Sequence, residues 1–301
     1  MDHLGLTCAA FLARRGAKVV IFEKRDKMGG ILRFGIPDFR LNKEILDNVI
    51  NKIKNLGIEF RTNCELGRNL NLNELSQNFD AVFLGIGANI PWKMGIDGEN
   101  LQGVYGANKL LEIGNHPNYI GKDIAIIGGG NVAIDVARTI KRLGAKSATI
   151  IYRRTEKEMP AEKKEIEEAK KDGVNFLFQT NILKIIGDKK VDKIECIKTK
   201  MVKEEGKQKA IPINIENSNY YVCIDYVVMA IGSMPEKEVI NSLGLILNKY
   251  GYINVNDKFE TSLKNIYAGG DIVGAKSTVA WAAYTGRRAS EAIVEKFKKN
   301  N

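Results

Sequence analysis

Short apolar runs alternate with amphipathic stretches along this chain, and one such combination occurs twice. Near the start, a helical stretch at 4–14 leads through Arg15-Gly16-Ala17-Lys18 into an apolar run at 19–22. Further on, a helical stretch at 131–142 leads through Leu143-Gly144-Ala145-Lys146 into a run at 148–152. A strand-like run at 123–127 and Gly128-Gly129-Gly130 precede the second copy. Strand, glycine turn, helix and strand is the order of a dinucleotide-binding unit, so two such units are expected. Aligning Gly16 with Gly144 sets Gly130 opposite Asp2 and Ala133 opposite Gly5. The strand that should open the first copy, with most of its phosphate turn, then falls before Met1.

A loop at 27–40, rich in glycine and containing Gly35-Ile36-Pro37, follows the first copy. A helix is predicted at 42–56, with an apolar stripe of Ile45, Val49, Ile50 and Ile53. Strands are predicted at 58–61 and 81–86; the second ends in Gly85-Ile86-Gly87 and reads as a parallel strand buried on both faces. Residues 103–120 read as a connection into the second unit. Beyond that unit's second strand come a charged helix at 161–171 and strands at 175–179, 182–186, 191–199 and 220–228, with 203–209 as a hairpin tip. A run at 227–231 stops at Gly232, a strand at 266–268 meets Gly269-Gly270-Asp271, and a last helix covers 277–297. The segments on either side of the second unit share one style. The expected fold is therefore α/β, with two Rossmann-like dinucleotide-binding domains. Residues 104–231 are inserted into an outer domain of 1–103 and 232–301.

Composition narrows the function without fixing it. A chain of 301 residues suits two domains. No run is as long as a membrane span, and the 4–14 stretch, too short and ending in Arg14 before Arg15, does not read as a signal peptide, so a cytoplasmic protein is expected. Cys8, Cys64, Cys196 and Cys223 lack CxxC or ligand-like spacing and read as reduced thiols, with no metal site. The net charge of +10 could attract an acidic protein. The lysines are mostly mixed with glutamates, as at 162–171, the pattern of a solvated helix face. No basic run carries interleaved aromatics, which argues against nucleic acid as a partner.

The chemistry sits at two strand ends. Gly128-Gly129-Gly130-Asn131-Val132-Ala133 is a G-x-G-x-x-A turn between a strand and a helix. Gly128 allows the tight turn, Gly130 lets the backbone approach a pyrophosphate, and Asn131 and Val132 open a helix whose free N–H groups suit an anion. The next strand ends in Tyr152-Arg153-Arg154, where an NAD site would carry an acidic residue. Paired guanidiniums suit a 2′-phosphate, so NADPH is expected here, against the plain alternative of a solvated basic strand end. In the first copy the corresponding strand ends in Glu23, a carboxylate suited to the ribose of a nucleotide without a 2′-phosphate, such as FAD. The alternative is a surface glutamate.

Nearly the whole chain resembles the flavin-containing electron-transfer subunit of NADPH-dependent glutamate synthase and its relatives. The resemblance rests on Gly5-Leu6-Thr7-Cys8-Ala9-Ala10, on Gly29-Gly30-Ile31-Leu32, and on Gly35-Ile36-Pro37-Asp38-Phe39-Arg40-Leu41. It continues through 128–138, Tyr152-Arg153-Arg154 with Glu158-Met159-Pro160-Ala161, and Ala268-Gly269-Gly270-Asp271. The resemblance implies FAD in the outer domain and NADPH in the inserted one. It places Glu23 and Lys24 at the adenosine, and the 29–32 region, Gly30 included, and Arg40 along the FAD. Asp271, beside Gly270, would meet a ribityl hydroxyl or the pyrophosphate side. Thr278 and Val279 would present the start of the last helix to the flavin O2 edge. Gly5, Gly87 and Gly232 complete the expected cofactor-binding set.

The family also carries an N-terminal domain whose cysteines hold iron–sulfur clusters, which this sequence does not contain. A central strand of about five buried aliphatic residues is worth on the order of 10 kcal/mol, at roughly 1.5–3 each. That rivals the whole stability of a domain, about 5–15 kcal/mol. The expectation is that the gene product starts earlier or that this chain holds FAD poorly. The leading expectation is an NADPH:FAD oxidoreductase that passes electrons to clusters or to a partner such as the glutamate synthase large subunit. The rival is a non-catalytic remnant that binds NADPH beside a defective flavin site. A thioredoxin-reductase-like enzyme is excluded, because no CxxC exists to receive electrons.

Overall fold

A computed structural model describes residues 3–114, 116–203, 206, 209–274 and 278–298. The chain divides into two compact units, Met1–Ile90 with Met234–Asn301, and Pro91–Ser233. The second is thus inserted into the first.

The outer unit opens with α1 (His3–Ala13), which has no Asp, Glu, Lys or Arg and is apolar on all sides, as a buried helix should be. Leu4, Leu6, Cys8 and Ala9 are buried along it. Then come β1 (Val20–Phe22), α2 (Gly30–Phe34), α3 (Lys43–Lys54), β2 (Glu59–Arg61), α4 (Leu72–Asn78), β3 (Val82–Leu84) and the passage β4 (Ile90–Pro91). β1 and β2 pair in parallel, Val20 opposite Glu59. α3 starts at Asn42, whose side chain accepts from the Glu44 N–H at 2.8 Å. Its buried side corrects the expected stripe. Leu46 and Ile50 are buried, whereas Ile45 is 59% and Val49 47% exposed. Leu46, Ile50 and the half-buried Ile53 are spaced four and three apart on one face; Ile45 and Val49 lie about 100° round the helix from it.

The inserted unit contributes β5 (Val104–Gly106), α5 (Ala107–Ile113), β6 (Asp123–Ile127), α6 (Asn131–Arg142), β7 (Ser147–Tyr152), α7 (Lys163–Lys171), β8 (Asn175–Phe178), β9 (Thr180–Ile186), β10 (Lys193–Val202), β11 (Ile211–Cys223) and β12 (Tyr226–Met229). A parallel sheet has the order β5-β12-β6-β7-β8, and an antiparallel sheet the order β11-β10-β9. Alternate residues of the parallel strands feed two cores. Ile124, Ile126 and Ile150 pack with Ala133, Ile134, Val136 and Ile140 of α6. Ala125, Ile127, Ile151 and Val227 pack with Ile182, Ile185, Ile194 and Cys196 of the antiparallel sheet.

Three expectations are corrected in this unit. The 103–120 connection carries an edge strand and a helix, because Val104 finds a partner in Val227. The single strand expected at 220–228 belongs to two sheets: β11 ends at Cys223 and β12 begins at Tyr226. Between them the Ile224 N–H donates to Asp192 O and the Asp225 N–H to Asp123 O, so the chain leaves one sheet and enters the other. Of the expected hairpin tip, residues 204, 205, 207 and 208 lie outside the described residues; Val202 and Ile211 on either side pair. The inserted unit begins at Pro91, where a break at 103/104 was expected, because Met94, Ile96 and Leu101 pack against its second core.

The chain returns through β13 (Ser233–Met234) to α8 (Lys237–Ser242), β14 (Ile266–Ala268) and α9 (Val279–Lys298). Ser277, the expected first residue of that last helix, lies outside the described residues. β3 pairs in parallel with β14. The strand expected at 81–86 extends only over Val82–Leu84 and buries only Leu84 fully, not both faces. α1 and α9 pack closely: at Gly286 an added Cβ would stand 2.5 Å from the Leu4 carbonyl oxygen. No helix among the described residues is long and apolar enough to cross a membrane.

Candidate functional site

In the inserted unit the β6–α6 turn is built from three glycines with three different constraints. Gly128 has φ +139°, and an added Cβ would stand 2.2 Å from the Ala230 carbonyl oxygen. Its N–H donates to Ile151 O at 3.1 Å, tying the turn to the next strand. A Cβ on Gly129 would stand 2.6 Å from the Tyr152 ring. Gly130 has φ −89° and ψ 176°, extended backbone open to any residue. A Cβ there would meet nothing within 4 Å. The first two glycines therefore serve the protein's own packing, and the third borders open space.

α6 starts at that open space. The Asn131 and Val132 N–H groups have no acceptor among the described residues, and no acidic residue lies in the first turn. The Asn131 side chain does not cap the helix; it accepts from the Glu162 N–H at 3.0 Å. The helix thus keeps free donors and its positive dipole end at Gly130. A pyrophosphate fits such a cradle.

Arg153 and Arg154 follow directly on β7, the first exposed and the second half-buried. Neither guanidinium has an ion-pair partner among the described residues. The backbone under them is held from elsewhere: the Arg153 carbonyl accepts from Thr199 Oγ1 at 2.7 Å, and the Arg154 carbonyl from the Gln179 N–H at 3.1 Å. The Tyr152 hydroxyl donates to Glu158 O at 2.8 Å. The Thr155 hydroxyl holds the Glu158 carboxyl below the usual range, and Arg154 adds to the effect. Gly232, with φ +112°, follows β12 and lies 3.5 Å, from an ideal Cβ, to Trp92 Cδ1. Sequence reasoning missed Tyr152 as a wall of the turn, and it missed Gln179 and Thr199. Thr199 stands 46 residues from Arg153, and no local motif marks it.

In the outer unit Glu23 directly follows β1 and is 2% exposed. Its Oε1 accepts from the Arg25 N–H at 2.9 Å, while Lys24 stays exposed. Gly30, with φ +49°, opens α2, and Arg40 is half-buried in the turn where its N–H meets Pro37 O at 3.0 Å. Gly87 has φ +71°, and only Asn89 Oδ1, at 4.0 Å, would approach its Cβ. Gly5 is buried within α1. Beside that helix the Gly270 N–H donates to Thr285 Oγ1 at 3.0 Å, and a Cβ on Gly270 would stand 2.7 Å from Leu4 Cδ2. Asp271 follows in the same short turn. Thr285 is fully buried, donates to Ala282 O at 2.9 Å, and was not legible in the sequence. Thr278 caps α9: its Oγ1 accepts from the Trp281 N–H at 3.2 Å, and Val279, the first helical residue, is 46% exposed. A buried strand-end carboxylate and an accessible helix start are features that a flavin nucleotide fits.

The thiols take no visible part. All four cysteines are free. Burial raises the Cys8 thiol and pushes Cys196 up to about 12, leaving both as unreactive thiols.

Against known proteins, residues 3–290 match the pyridine nucleotide-disulphide oxidoreductase family. The chain is 34% identical to the glutamate synthase [NADPH] small chain of Halomonas elongata, over 97% of this chain and 65% of that protein. It is 35% identical to the Escherichia coli protein of the same name, over 96% of this chain and 66% of that one. It is 31% identical to the NADPH-Fe(3+) oxidoreductase subunit beta of Geobacter sulfurreducens, over 96% of this chain and 48% of that one. The chain therefore spans somewhat less than two thirds of the length of these two glutamate synthase small chains. Among solved structures, Mycobacterium tuberculosis FprA in complex with NADPH superposes with a TM-score of 0.85 at 18% identity, covering 99% of this chain and 83% of that one. T. acidophilum thioredoxin reductase superposes with a TM-score of 0.73 at 20% identity, covering 99% of this chain and 96% of that one. These last two likenesses concern the fold. The chain belongs to the pyridine nucleotide-disulphide oxidoreductase family.

Proposed function

We propose that this chain is an NADPH-dependent flavin oxidoreductase module of the glutamate synthase small-chain type, acting in the cytoplasm. Bound NADPH and FAD would supply hydride transfer from nicotinamide to flavin, with electrons passing on to iron–sulfur clusters or a partner subunit. The observation that carries the reading is the open phosphate turn at Gly130 with two arginines at the end of the adjacent strand that make no ion pair among the described residues. The Gly130–Val132 backbone would hold the NADPH pyrophosphate, and Arg153 and Arg154 its 2′-phosphate. Glu23 would accept from the flavin nucleotide's ribose hydroxyls. The capped start of α9 at Thr278 and Val279 would place a helix dipole at the flavin.

No acid–base residue is assigned, because the protein's share is binding and orientation. Relatives named as a small chain and as a subunit beta support a partner protein as the electron acceptor. FAD reconstitution followed by anaerobic NADPH addition tests the reading: the flavin's visible absorbance should bleach with NADPH far faster than with NADH. In Arg153→Ala/Arg154→Ala, NADPH affinity should fall by about a hundredfold or more, at about 1.5–3 kcal/mol per charged hydrogen-bonding partner, with NADH little changed. Equal losses for both cofactors would show that the arginines do not read the 2′-phosphate.

A further inference from the structure

We infer that Thr199, with Gln179, is a positioning residue for cofactor selectivity: the antiparallel sheet sets the direction of the Arg153-Arg154 pair. The inference rests on the NADPH reading above. β7 ends at Tyr152, so the two arginines stand just beyond the last paired residue of the parallel sheet, Tyr152 opposite Phe178. Beyond that point a strand end is free to fray, and a guanidinium is only as well placed as the backbone that bears it. The chain provides two fixings there. Thr199 Oγ1 donates to the Arg153 carbonyl at 2.7 Å, and the Gln179 N–H donates to the Arg154 carbonyl at 3.1 Å.

The fixings are themselves joined. The Thr199 N–H donates to Gln179 O at 2.8 Å, and Gln179 Nε2 reaches Thr199 O at 3.4 Å. Thr199 is 3% exposed in β10, so its hydroxyl is held in one place by packing. Gln179 has φ +50°, a left-handed conformation that is costly for a glutamine between two strands. That conformation turns the chain from the parallel sheet into β9 while its N–H meets Arg154. Consecutive carbonyls are thereby held by β10 and by the residue that leads into β9, while neither guanidinium makes an ion pair within 4.0 Å among the described residues. A structural bond would serve equally well one residue earlier, inside the ladder. This one falls on the two residues that distinguish NADPH from NADH.

The test is a titration of NADPH and NADH against the full chain, read by cofactor fluorescence so that no flavin turnover is needed. Four proteins are compared: wild type, Thr199→Val, Thr199→Ser and Arg153→Ala/Arg154→Ala. Valine keeps the shape and removes the donor, so NADPH should bind about three- to tenfold more weakly with NADH unchanged, and serine should restore the wild-type ratio. Should Thr199→Val not give a native circular dichroism spectrum, Thr199→Ala is read against Thr199→Ser in its place. An unchanged NADPH/NADH ratio, or equal losses for both cofactors, overturns the inference. If the double arginine variant also keeps its NADPH preference, the NADPH reading itself falls; if only the threonine variants keep it, the positioning role alone falls.

Discussion

Three consecutive glycines in one turn answer to different neighbours, and substitution should separate them. Gly128→Ala forces a side chain to φ +139° and against the Ala230 carbonyl, so it should cost the inserted unit about 2–3 kcal/mol. A Cβ at Gly130 meets nothing within 4 Å and the backbone there is extended, so Gly130→Val should leave thermal unfolding unchanged within about 0.5 kcal/mol, the range of neutral surface changes. NADPH affinity should nevertheless fall at least about tenfold, since about 1.4 kcal/mol of lost or blocked contact is tenfold. A folded Gly130→Val chain with native affinity would remove the turn from the proposed site. The motif marked all three positions; only the structure divided them into packing and open space.

At the scale of elements, the charged helix α7 shows how a local pattern can mislead. Its mixed lysines and glutamates read as a solvated face, and Lys170 and Lys171 do pair at the surface with Glu156 and Glu168. Its other side holds Arg138 of α6, which is 6% exposed. Arg138 Nη1 meets Glu165 at 2.9 Å and Nε meets Asp172 at 2.9 Å; Arg142 also reaches Asp172 at 2.9 Å. Arg138→Met should leave these partly buried carboxylates short of a partner and lower stability by about 3 kcal/mol. Burial raises the Asp172 pKa, but the bonds from Arg138 and Arg142 outweigh it, and the net shift is downward from 3.8. A carboxyl with a depressed folded-state pKa stabilises while ionised. Its contribution is therefore present above pH 3.8 and is lost as pH falls through the lower folded value. Urea unfolding of wild type should weaken across that acid window, and the Arg138→Met curve should be flatter there.

For the whole molecule, the insertion has a testable consequence. Both cores of the inserted unit draw on residues within Pro91–Ser233, and the proposed turn, arginines, Gln179 and Thr199 all lie between those limits. The segment 91–233 expressed alone should unfold in one cooperative step and keep its preference for NADPH over NADH. A version starting at 104 should be less stable, because Met94, Ile96 and Leu101 would no longer pack against the core between the two sheets. Equal stability of the two segments would contradict the packing assigned to residues 91–103.

The sequence by itself determined the elements whose signals are local. α6 forms over the expected Asn131–Arg142, and β1, β6, β7 and β14 fall where short apolar runs end at glycine or charge. The G-x-G-x-x-A turn and the Arg153-Arg154 pair were legible for the same reason, since each is a contiguous word. Tertiary structure decided which face is buried and where one strand stops. Ile45 and Leu46 are alike in hydrophobicity, and only packing chose Leu46. The apolar run around Ile224 gave no sign of its break, because the carbonyls that split it belong to Asp192 and to Asp123, about a hundred residues away. Thr199 was invisible for the same reason. A hydroxyl's role is set by what folds against it, and periodicity carries information only about neighbours along the chain.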